Sequence, residues 1–368
     1  MGGADVPGMD GCTESDNLRM FIYWFLFLVP VYFLLTRNRG GVHTPQLSWR
    51  LFGFFLIFLI GLRYQVGGDW RNYLEGLESV KDTQWSEFFD ARKEAGYTLL
   101  SWFFLALGAN IYGVNFICAT IFTIGLINLS RKQPYPWLAI VAAIPYLVIV
   151  VAMGYTRQAT AIGLLMYGFG YLLRGRITVY LVLVVLAGLF HKTAFVFAAF
   201  ALFRPGSGLF KRVLGAGLLV VLAGGAYFVE QAEFLMLHYV EQTMESEGGQ
   251  IRVLMNLLPA LILFTYWKEW GKKFEDRWLW GLIALLAIVC VPLVSIASTA
   301  VDRMALYLIP LQLVVWARFP VLVQGRIPRI VAFLMVICFY ATVQFVWLVF
   351  GIHSLYWVPY DNLLFPSF

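Results

Sequence analysis

Long runs of apolar residues, separated by short polar segments, constrain the fold of this chain more than any other feature. A helix needs roughly 20 mostly apolar residues to cross a bilayer, and somewhat fewer where neighbouring helices bury it. The runs cover residues 20–36, 51–62, 112–129, 137–153, 158–173, 177–190, 192–203, 213–229, 252–267, 278–296, 303–317 and 330–350. They predict an all-α, polytopic integral membrane protein with about 12 transmembrane helices.

Two parts of this pattern allow more than one interpretation. Residues 177–190 and 192–203 form either two short spans or one long helix that bends at His191. Residues 97–110 are apolar but too short to span a bilayer alone, which predicts a re-entrant or interfacial helix.

Two outer segments are long enough to do more than connect spans. They are residues 63–111 and 230–251, and both mix acidic, aromatic and apolar residues. This mixture is typical of amphipathic helices that lie on a membrane surface. Residues 1–368 are therefore predicted to form a single transmembrane domain with two large outer loops.

Composition and charge exclude several classes of protein. The chain is 61% hydrophobic and only 13% charged, whereas a soluble globular domain is about 25% charged. Acidic residues precede Arg19, the first basic residue, so the first apolar run is expected to be a retained span rather than a signal peptide. Most Lys and Arg residues lie in the predicted inner loops, and the net charge of +6 therefore reflects membrane topology. No nucleic-acid partner is expected.

Charged side chains collect at the outer ends of the predicted spans. A charge within the bilayer costs about 2.5–3.5 kcal/mol on insertion scales, so such residues are functional candidates. The set contains Arg63, Asp69, Arg157, His191, Lys192, Arg252, Asp302 and Arg303. The predicted topology brings these distant segments to one membrane face, where they would form a polar, cationic cavity.

The arginines suggest what such a cavity binds. A guanidinium group matches two phosphate oxygens at once, which favours a lipid-linked phosphate or diphosphate. A purely structural role is the alternative for each candidate. Arg63 would extend its side chain to the membrane interface, Arg303 would pair with Asp302, and His191 would lie in the core. Aromatic residues near the cavity are either sugar-stacking or interface residues; they are Trp70, Tyr73, Tyr97 and Tyr155.

At these same residues the chain resembles the EpsG family, which comprises Wzy-like bacterial polysaccharide polymerases and membrane glycosyltransferases. Six segments stand in the family's order. They are RYQVGGDWRNY (63–73), EAGYTLLSWFFLALGANIYGVNF (94–116), GYTRQATAIGL (154–164), LFHKTAFV (189–196), GGQIRVLMNLLPALI (248–262) and VDRMALYLIP (301–310). The chain has Gly68 where the family often has Thr before the aspartate.

The resemblance implies an enzyme of the bacterial inner membrane whose active site faces the periplasm, with a GT-C-like fold. It would polymerise polyprenyl-diphosphate-linked repeat units into exopolysaccharide, capsule or O-antigen. Its partners would be undecaprenyl-diphosphate-linked oligosaccharides as donor and acceptor, membrane lipids, a flippase and a co-polymerase that regulates chain length. The alternatives are a flippase or other transporter of lipid-linked oligosaccharides and a membrane acyltransferase.

This reaction assigns roles to the candidate residues. Arg63, Arg157, Arg252 and Arg303 would bind the leaving diphosphate, together with Lys192 and Tyr73. Arginines can take the place of a metal ion here, and since no cluster has metal-ligand spacing, neither a metal nor a cofactor is expected. The base that activates the acceptor hydroxyl is either Asp69, which we favour, or His191; Glu75, Glu94 and Asp302 are reserves.

Overall fold

The computed structural model describes residues 14–37, 46–81, 94–206, 208–237, 249–296 and 298–364, and the regular secondary structure of these residues is helical, apart from one isolated bridge between Arg63 and Asn362. The α-helices are α1 (Glu14–Arg37), α2 (Gln46–Gly61), α3 (Trp70–Ser79), α4 (Ala95–Ala106), α5 (Asn110–Arg131), α6 (Pro136–Ala143), α7 (Thr156–Leu173), α8 (Ile177–Phe190), α9 (Leu209–Leu237), α10 (Gly249–Thr265), α11 (Trp267–Lys273), α12 (Arg277–Leu293), α13 (Ser298–Leu306), α14 (Pro310–Leu322) and α15 (Arg329–Phe350). A π-helix covers Ile144–Ala152, and 3-10 helices cover Lys192–Phe203 and Ile352–Tyr356.

The all-helical class is confirmed for the described residues, and each predicted apolar run coincides with helical structure. Among the described residues, α5 and α15 are each long and apolar enough to cross a membrane, and there are up to four such spans if each of the bent pairs α10–α11 and α13–α14 counts as one. Most other apolar helices are shorter than a full crossing. The structure therefore fits a membrane protein, and the predicted count of about 12 spans is not confirmed.

The chain reverses direction at His191. Helix α8 ends at Phe190, and His191 adopts an extended backbone with φ −158° before the 3-10 helix begins. The hydroxyl of Tyr180 donates a hydrogen bond to the carbonyl of Phe197 at 2.6 Å. One continuous helix would separate these residues by about 25 Å, so the two segments are distinct elements that pack together.

The predicted span 303–317 is likewise two elements. Helices α13 and α14 meet at an angle of 49°, with Tyr307–Ile309 between them. Pro310 begins α14, and a proline removes a backbone donor that a continuous helix would need.

Helix α6 and the π-helix form the centre of the bundle. Residues 137–152 are all buried, which is expected of a helical segment that is apolar on every side. Helices α1, α14 and α15 pack around this central segment, and α7 continues from it through a sharp turn at Tyr155. The central segment thus carries the chain from one end of the bundle to the other.

Helices α5 and α7 approach each other through glycines. A Cβ atom on Gly125 would lie 2.0 Å from the carbonyl oxygen of Gly163, and one on Gly163 would lie 2.5 Å from the Cα atom of Phe122. Small residues allow this kind of backbone contact between membrane helices. The contact fixes the position of α7, whose first turn carries Arg157.

A buried ion pair closes the end of the bundle where α5 and α7 finish, which we call the basic end. Two guanidinium nitrogens of Arg318 donate to the two carboxylate oxygens of Asp276 at 2.6 Å, and Nε donates to Gln133 at 2.9 Å. The guanidinium also lies against the rings of Trp270 and Phe274. We call this group the Arg318 clasp. Most Lys and Arg residues are expected in exposed inner loops, but only 4% of Arg318 is exposed.

Candidate functional site

The candidate residues meet at the opposite end of the bundle, which we call the site end. Arg157 lies in the first turn of α7 and forms an ion pair through Nη1 with Glu94, which precedes α4. The guanidinium lies 5.6 Å from the ring centre of Tyr73 and 5.9 Å from that of Tyr97. The side chain of Arg157 is 42% exposed, whereas that of Glu94 is only 14% exposed. Arg157 therefore presents part of its guanidinium to the exterior while Glu94 balances its charge.

Asp69 stands at the start of α3 and faces two arginines. Its carboxylate lies within electrostatic reach of Arg157 and Arg303, and Asn72 donates a hydrogen bond to it at 3.4 Å. Burial raises the pKa of the Asp69 carboxyl above its ordinary value, and the arginines and the Asn72 hydrogen bond oppose that rise. The Asp69 side chain makes no capping hydrogen bond to α3, so the start of the helix does not occupy its carboxylate oxygens.

The loop before Asp69 has a backbone that requires glycine. Gly67 has a φ of +110°, and a Cβ atom there would lie 2.5 Å from the carbonyl oxygen of Met153. The Gly67 amide donates a hydrogen bond to the carbonyl of Tyr356 at 2.8 Å, and the carbonyl of Gly67 accepts one from Trp70 at 3.1 Å. These contacts fix the direction in which α3 leaves the loop.

Residues 351–364 form a C-terminal strap across the site end. The amide of Tyr64 donates to the carbonyl of Asp361 at 2.9 Å, and the amide of Leu363 donates to the carbonyl of Leu62 at 2.8 Å. The indole of Trp357 donates to the carbonyl of Ile149 at 2.8 Å. The sequence does not reveal the strap, because its residues carry no charge pattern that marks a contact with a segment some 300 positions away.

Arg63 lies beneath the site rather than in it. Only 1% of the residue is exposed, and its guanidinium donates to the carbonyls of Ile60 at 2.6 Å and Val66 at 3.2 Å. It also donates to the hydroxyl of Thr156 at 2.7 Å, directly before Arg157. Through these bonds Arg63 joins the Asp69 loop to α7, while its direct contact with a diphosphate stays a prediction.

His191 lies beside the two arginines that face Asp69. Arg157, Arg303 and Lys192 are all within electrostatic reach of its imidazole, and the ring of Tyr307 is 5.8 Å away between ring centres. Its Nδ1 atom is buried and has no hydrogen-bond partner among the described residues. The structure thus brings His191, Lys192 and Asp69 together around the same arginines.

Arg252 and Asp302 form a second ion pair next to this group. Arg252 Nε lies 2.6 Å from Asp302 Oδ1, and both side chains are largely buried. Tyr146 and Tyr155 are close to the pair. Tyr146 could not be identified from the sequence, because a tyrosine within an apolar run has no distinguishing signal. Asp302 therefore pairs with α10 rather than with its neighbour Arg303.

Arg303 is the arginine that faces outward. It is exposed and forms no ion pair among the described residues. Its backbone carbonyl accepts a hydrogen bond from Gln158 at 2.6 Å. Two residues further on, the carbonyl of Ala305 accepts a hydrogen bond from Asn256 at 2.8 Å. Helix α13 is thus fixed to α7 and α10 while the side chain of Arg303 stays open to an anion.

The remaining candidates occupy the border of the site. Tyr73 is buried against α5, and burial raises its pKa to about 12, so its hydroxyl remains protonated at neutral pH. Glu94 is engaged by Arg157, and Glu75 is exposed on α3. Residues 82–93 of the first outer loop and 238–248 of the second lie outside the described residues. The described parts of the two loops are helical at α3, at α4, at the start of α5 and at the end of α9, and the amphipathic helices predicted within 82–93 and 238–248 stay predictions.

The fold and the site define the class of protein. In its described residues it is all-helical and compatible with a membrane protein, and it has a polar, cationic site at one end of its bundle. A model of the EpsG family matches residues 46–362. The chain belongs to the EpsG family, a family of Wzy-like polymerases, and this membership indicates a polysaccharide polymerase role in exopolysaccharide biosynthesis. No curated protein and no solved structure matches the chain. The GT-C-like fold stays a prediction.

Proposed function

We propose that the protein polymerises polyprenyl-diphosphate-linked oligosaccharide repeat units at the periplasmic face of the bacterial inner membrane. The product would be an exopolysaccharide, a capsule or an O-antigen. One observation carries the proposal: Asp69, Arg157, His191 and Arg303 come from four distant segments and gather at one end of an apolar bundle. Such an arrangement suits a substrate whose lipid lies in the bilayer and whose sugars lie outside it.

The arginines stabilise the leaving group in this mechanism. When the bond between the anomeric carbon and the diphosphate oxygen breaks, negative charge develops on the diphosphate, and fixed guanidinium groups nearby lower the barrier. Arg303 is open to bind phosphate oxygens directly. Arg157 changes partners, because phosphate oxygens compete with Glu94 for its guanidinium. Lys192 and the Arg252–Asp302 pair extend the positive surface, and no metal ion is needed.

Asp69 serves as the base. The acceptor hydroxyl attacks the anomeric carbon and forms the new glycosidic bond, its proton passes to the Asp69 carboxylate, and polyprenyl diphosphate departs. Burial raises the affinity of Asp69 for that proton. His191 is the alternative base, but its burial and the cations around it disfavour the positive charge that it would gain.

The decisive experiment uses the purified full-length protein and a lipid-linked repeat unit in proteoliposomes. We expect a ladder of products that differ by one repeat unit, resistant to chelators, and no ladder with Asp69→Asn protein at matched amounts. Movement of the repeat unit across the bilayer without longer products would identify a flippase instead. Transfer of an acyl group to the sugar would identify an acyltransferase.

A further inference from the structure

A groove of about 670 Å³ opens on the outside of the bundle between α2 and α5, at the basic end and away from the proposed active site. One wall runs along α2 from Trp49 to Ile57, and the other runs along α5 from Thr120 to Arg131. The helices touch where a Cβ atom on Gly53 would lie 2.9 Å from the side chain of Ile127. At 1.5 Å per residue, the α5 wall is about 16 Å long.

The middle of this groove is apolar and open to the surroundings of the bundle. Phe54 and Ile124 line it, and both side chains are exposed although they are large and hydrophobic. Leu51 and Phe58 continue the same exposed surface along α2. In a protein that fits a membrane, a continuous apolar surface of this kind contacts lipid chains.

The end of the groove is positively charged. Arg50, Arg131 and Lys132 line it, and none of them forms an ion pair among the described residues. Burial and the nearby Arg174 lower the pKa of the Lys132 ammonium, which donates a hydrogen bond to Asn128 at 2.6 Å. Cations held this close together repel one another, so a bound anion would stabilise the arrangement.

We propose that the α2–α5 groove binds one anionic glycerophospholipid. Its phosphate contacts Arg50, Arg131 and Lys132, and one acyl chain follows Phe54 and Ile124. Basic pockets between membrane helices are suited to anionic lipid headgroups, and guanidinium groups match phosphate oxygens in pairs. A zwitterionic lipid leaves the net charge uncompensated, and a free phosphate ester leaves the apolar wall uncovered. The bound lipid joins α2 to α5 and so stabilises the bundle.

The test measures thermal unfolding of the delipidated full-length protein in a neutral detergent. Phosphatidylglycerol should raise the midpoint, phosphatidylcholine should raise it much less, and glycerol 3-phosphate should leave it unchanged. Native mass spectrometry should detect one phosphatidylglycerol that resists detergent. Equal shifts with both phospholipids, or an equal shift with glycerol 3-phosphate, would overturn the proposal.

Variants separate this groove from general charge effects. The triple variant Arg50→Gln, Arg131→Gln, Lys132→Gln should weaken phosphatidylglycerol binding by about a hundredfold. A matched triple, Lys211→Gln, Arg212→Gln, Arg329→Gln, removes three exposed charges elsewhere and should bind normally. Ile124→Trp fills the apolar wall and should weaken binding with every charge retained. Normal binding by the first triple variant would refute the assignment whether or not the protein polymerises sugars.

Discussion

The arginines at the site end differ in what already holds each of them. Arg63 donates only to groups of the protein, Arg157 is held by Glu94, and Arg252 is held by Asp302. Arg303 is exposed and has no acidic partner among the described residues. In the absence of substrate, the positive charge of these arginines is thus partly balanced by carboxylates of the protein. An incoming diphosphate meets one open arginine and displaces one carboxylate, which makes Arg303 and Arg157 the informative positions for mutation.

Lysine substitutions test whether the two arginines act as forks or as simple charges. Arg303→Lys and Arg157→Lys should each lower the rate of product formation by about 10²- to 10³-fold, nearly as much as alanine does, because lysine cannot bind two phosphate oxygens in parallel. The measurement is the initial rate of ladder formation at matched amounts of folded protein. Arg71→Lys, on the exposed face of α3, is the matched control and should be fully active. Fully active lysine variants at both sites would reject the diphosphate clamp.

Replacing Asp69 tests the base. Asp69→Asn keeps the shape of the side chain but removes its ability to accept a proton, so turnover should fall by about 10²- to 10⁴-fold while the donor lipid still binds. Glu75→Gln removes an exposed carboxylate from the same helix and should have no effect. Near-normal turnover of Asp69→Asn would move the role to His191, whose alanine variant would then be the inactive one.

The pH dependence of turnover gives this prediction a second readout. Because burial raises the pKa of Asp69, the carboxylate is lost at a higher pH than for an exposed aspartate, whose pKa is about 3.9. Activity should therefore fall as the pH drops through this raised pKa. The residual activity of Asp69→Asn should lack that acidic limb, and an unchanged limb would show that another group titrates.

For single residues, the sequence shows which charged side chains are candidates but not which residues those side chains contact. Asp69, Arg157, Lys192 and Arg303 could be selected because charges at the ends of apolar runs are costly. The role of Arg63 could not be predicted, since its partner Thr156 lies 93 positions away.

Among the elements, the C-terminal strap shows how secondary structure positions the site. Trp357 packs its ring beside Gly68 and Gly154, which lie directly before Asp69 and Tyr155. The carbonyl of Trp357 also accepts a hydrogen bond from Tyr23 of α1 at 2.5 Å. A single residue therefore connects the central segment, α1 and the Asp69 loop. Apolar periodicity finds the helices but cannot find a strap that lacks periodicity, which is why the sequence predicted α15 and not the residues after it.

Removing the Trp357 ring should affect both stability and activity. Trp357→Ala leaves a cavity and an unpaired Ile149 carbonyl, so the free energy of unfolding should fall by about 3–5 kcal/mol. Turnover per folded molecule should fall as well, because the Asp69 loop loses its support. Leu355→Ala, at an exposed position of the same strap, should change neither quantity. Thermal unfolding and the ladder assay measure the two effects; full turnover of folded Trp357→Ala would separate the strap from the site.

The whole molecule has two polar ends with different tasks. The site end keeps charge accessible, whereas the Arg318 clasp buries its charge between aromatic rings and satisfies it with hydrogen bonds. The sequence predicted that charges would divide between two sides, since that division follows from topology. It did not predict which basic residue would be buried, because Asp276 and Gln133 reach Arg318 only through packing of α12 and α14 around the central segment.

Breaking the clasp should destabilise the bundle without changing the chemistry. Arg318→Met leaves Asp276 buried without its partner, and the free energy of unfolding should fall by about 3–5 kcal/mol. The double variant Arg318→Met, Asp276→Leu should recover part of that loss. Turnover per folded molecule should stay normal in both variants, because the site lies at the other end of the bundle. A loss of turnover in the folded double variant would contradict this separation of tasks.

Orientation in the membrane is the property of the whole molecule on which the proposed substrate depends, because the proposed mechanism takes its lipid-linked repeat units from the periplasmic side. We expect the site end to face the periplasm and the basic end to face the cytoplasm. In a variant without native cysteines, Glu78→Cys should react with a membrane-impermeant maleimide in spheroplasts, which expose the outer surface of the inner membrane. Arg176→Cys and Lys272→Cys, both exposed at the basic end, should react only after the membrane is opened. The reverse pattern would place Asp69 and Arg303 on the cytoplasmic side and rule out the proposed donor.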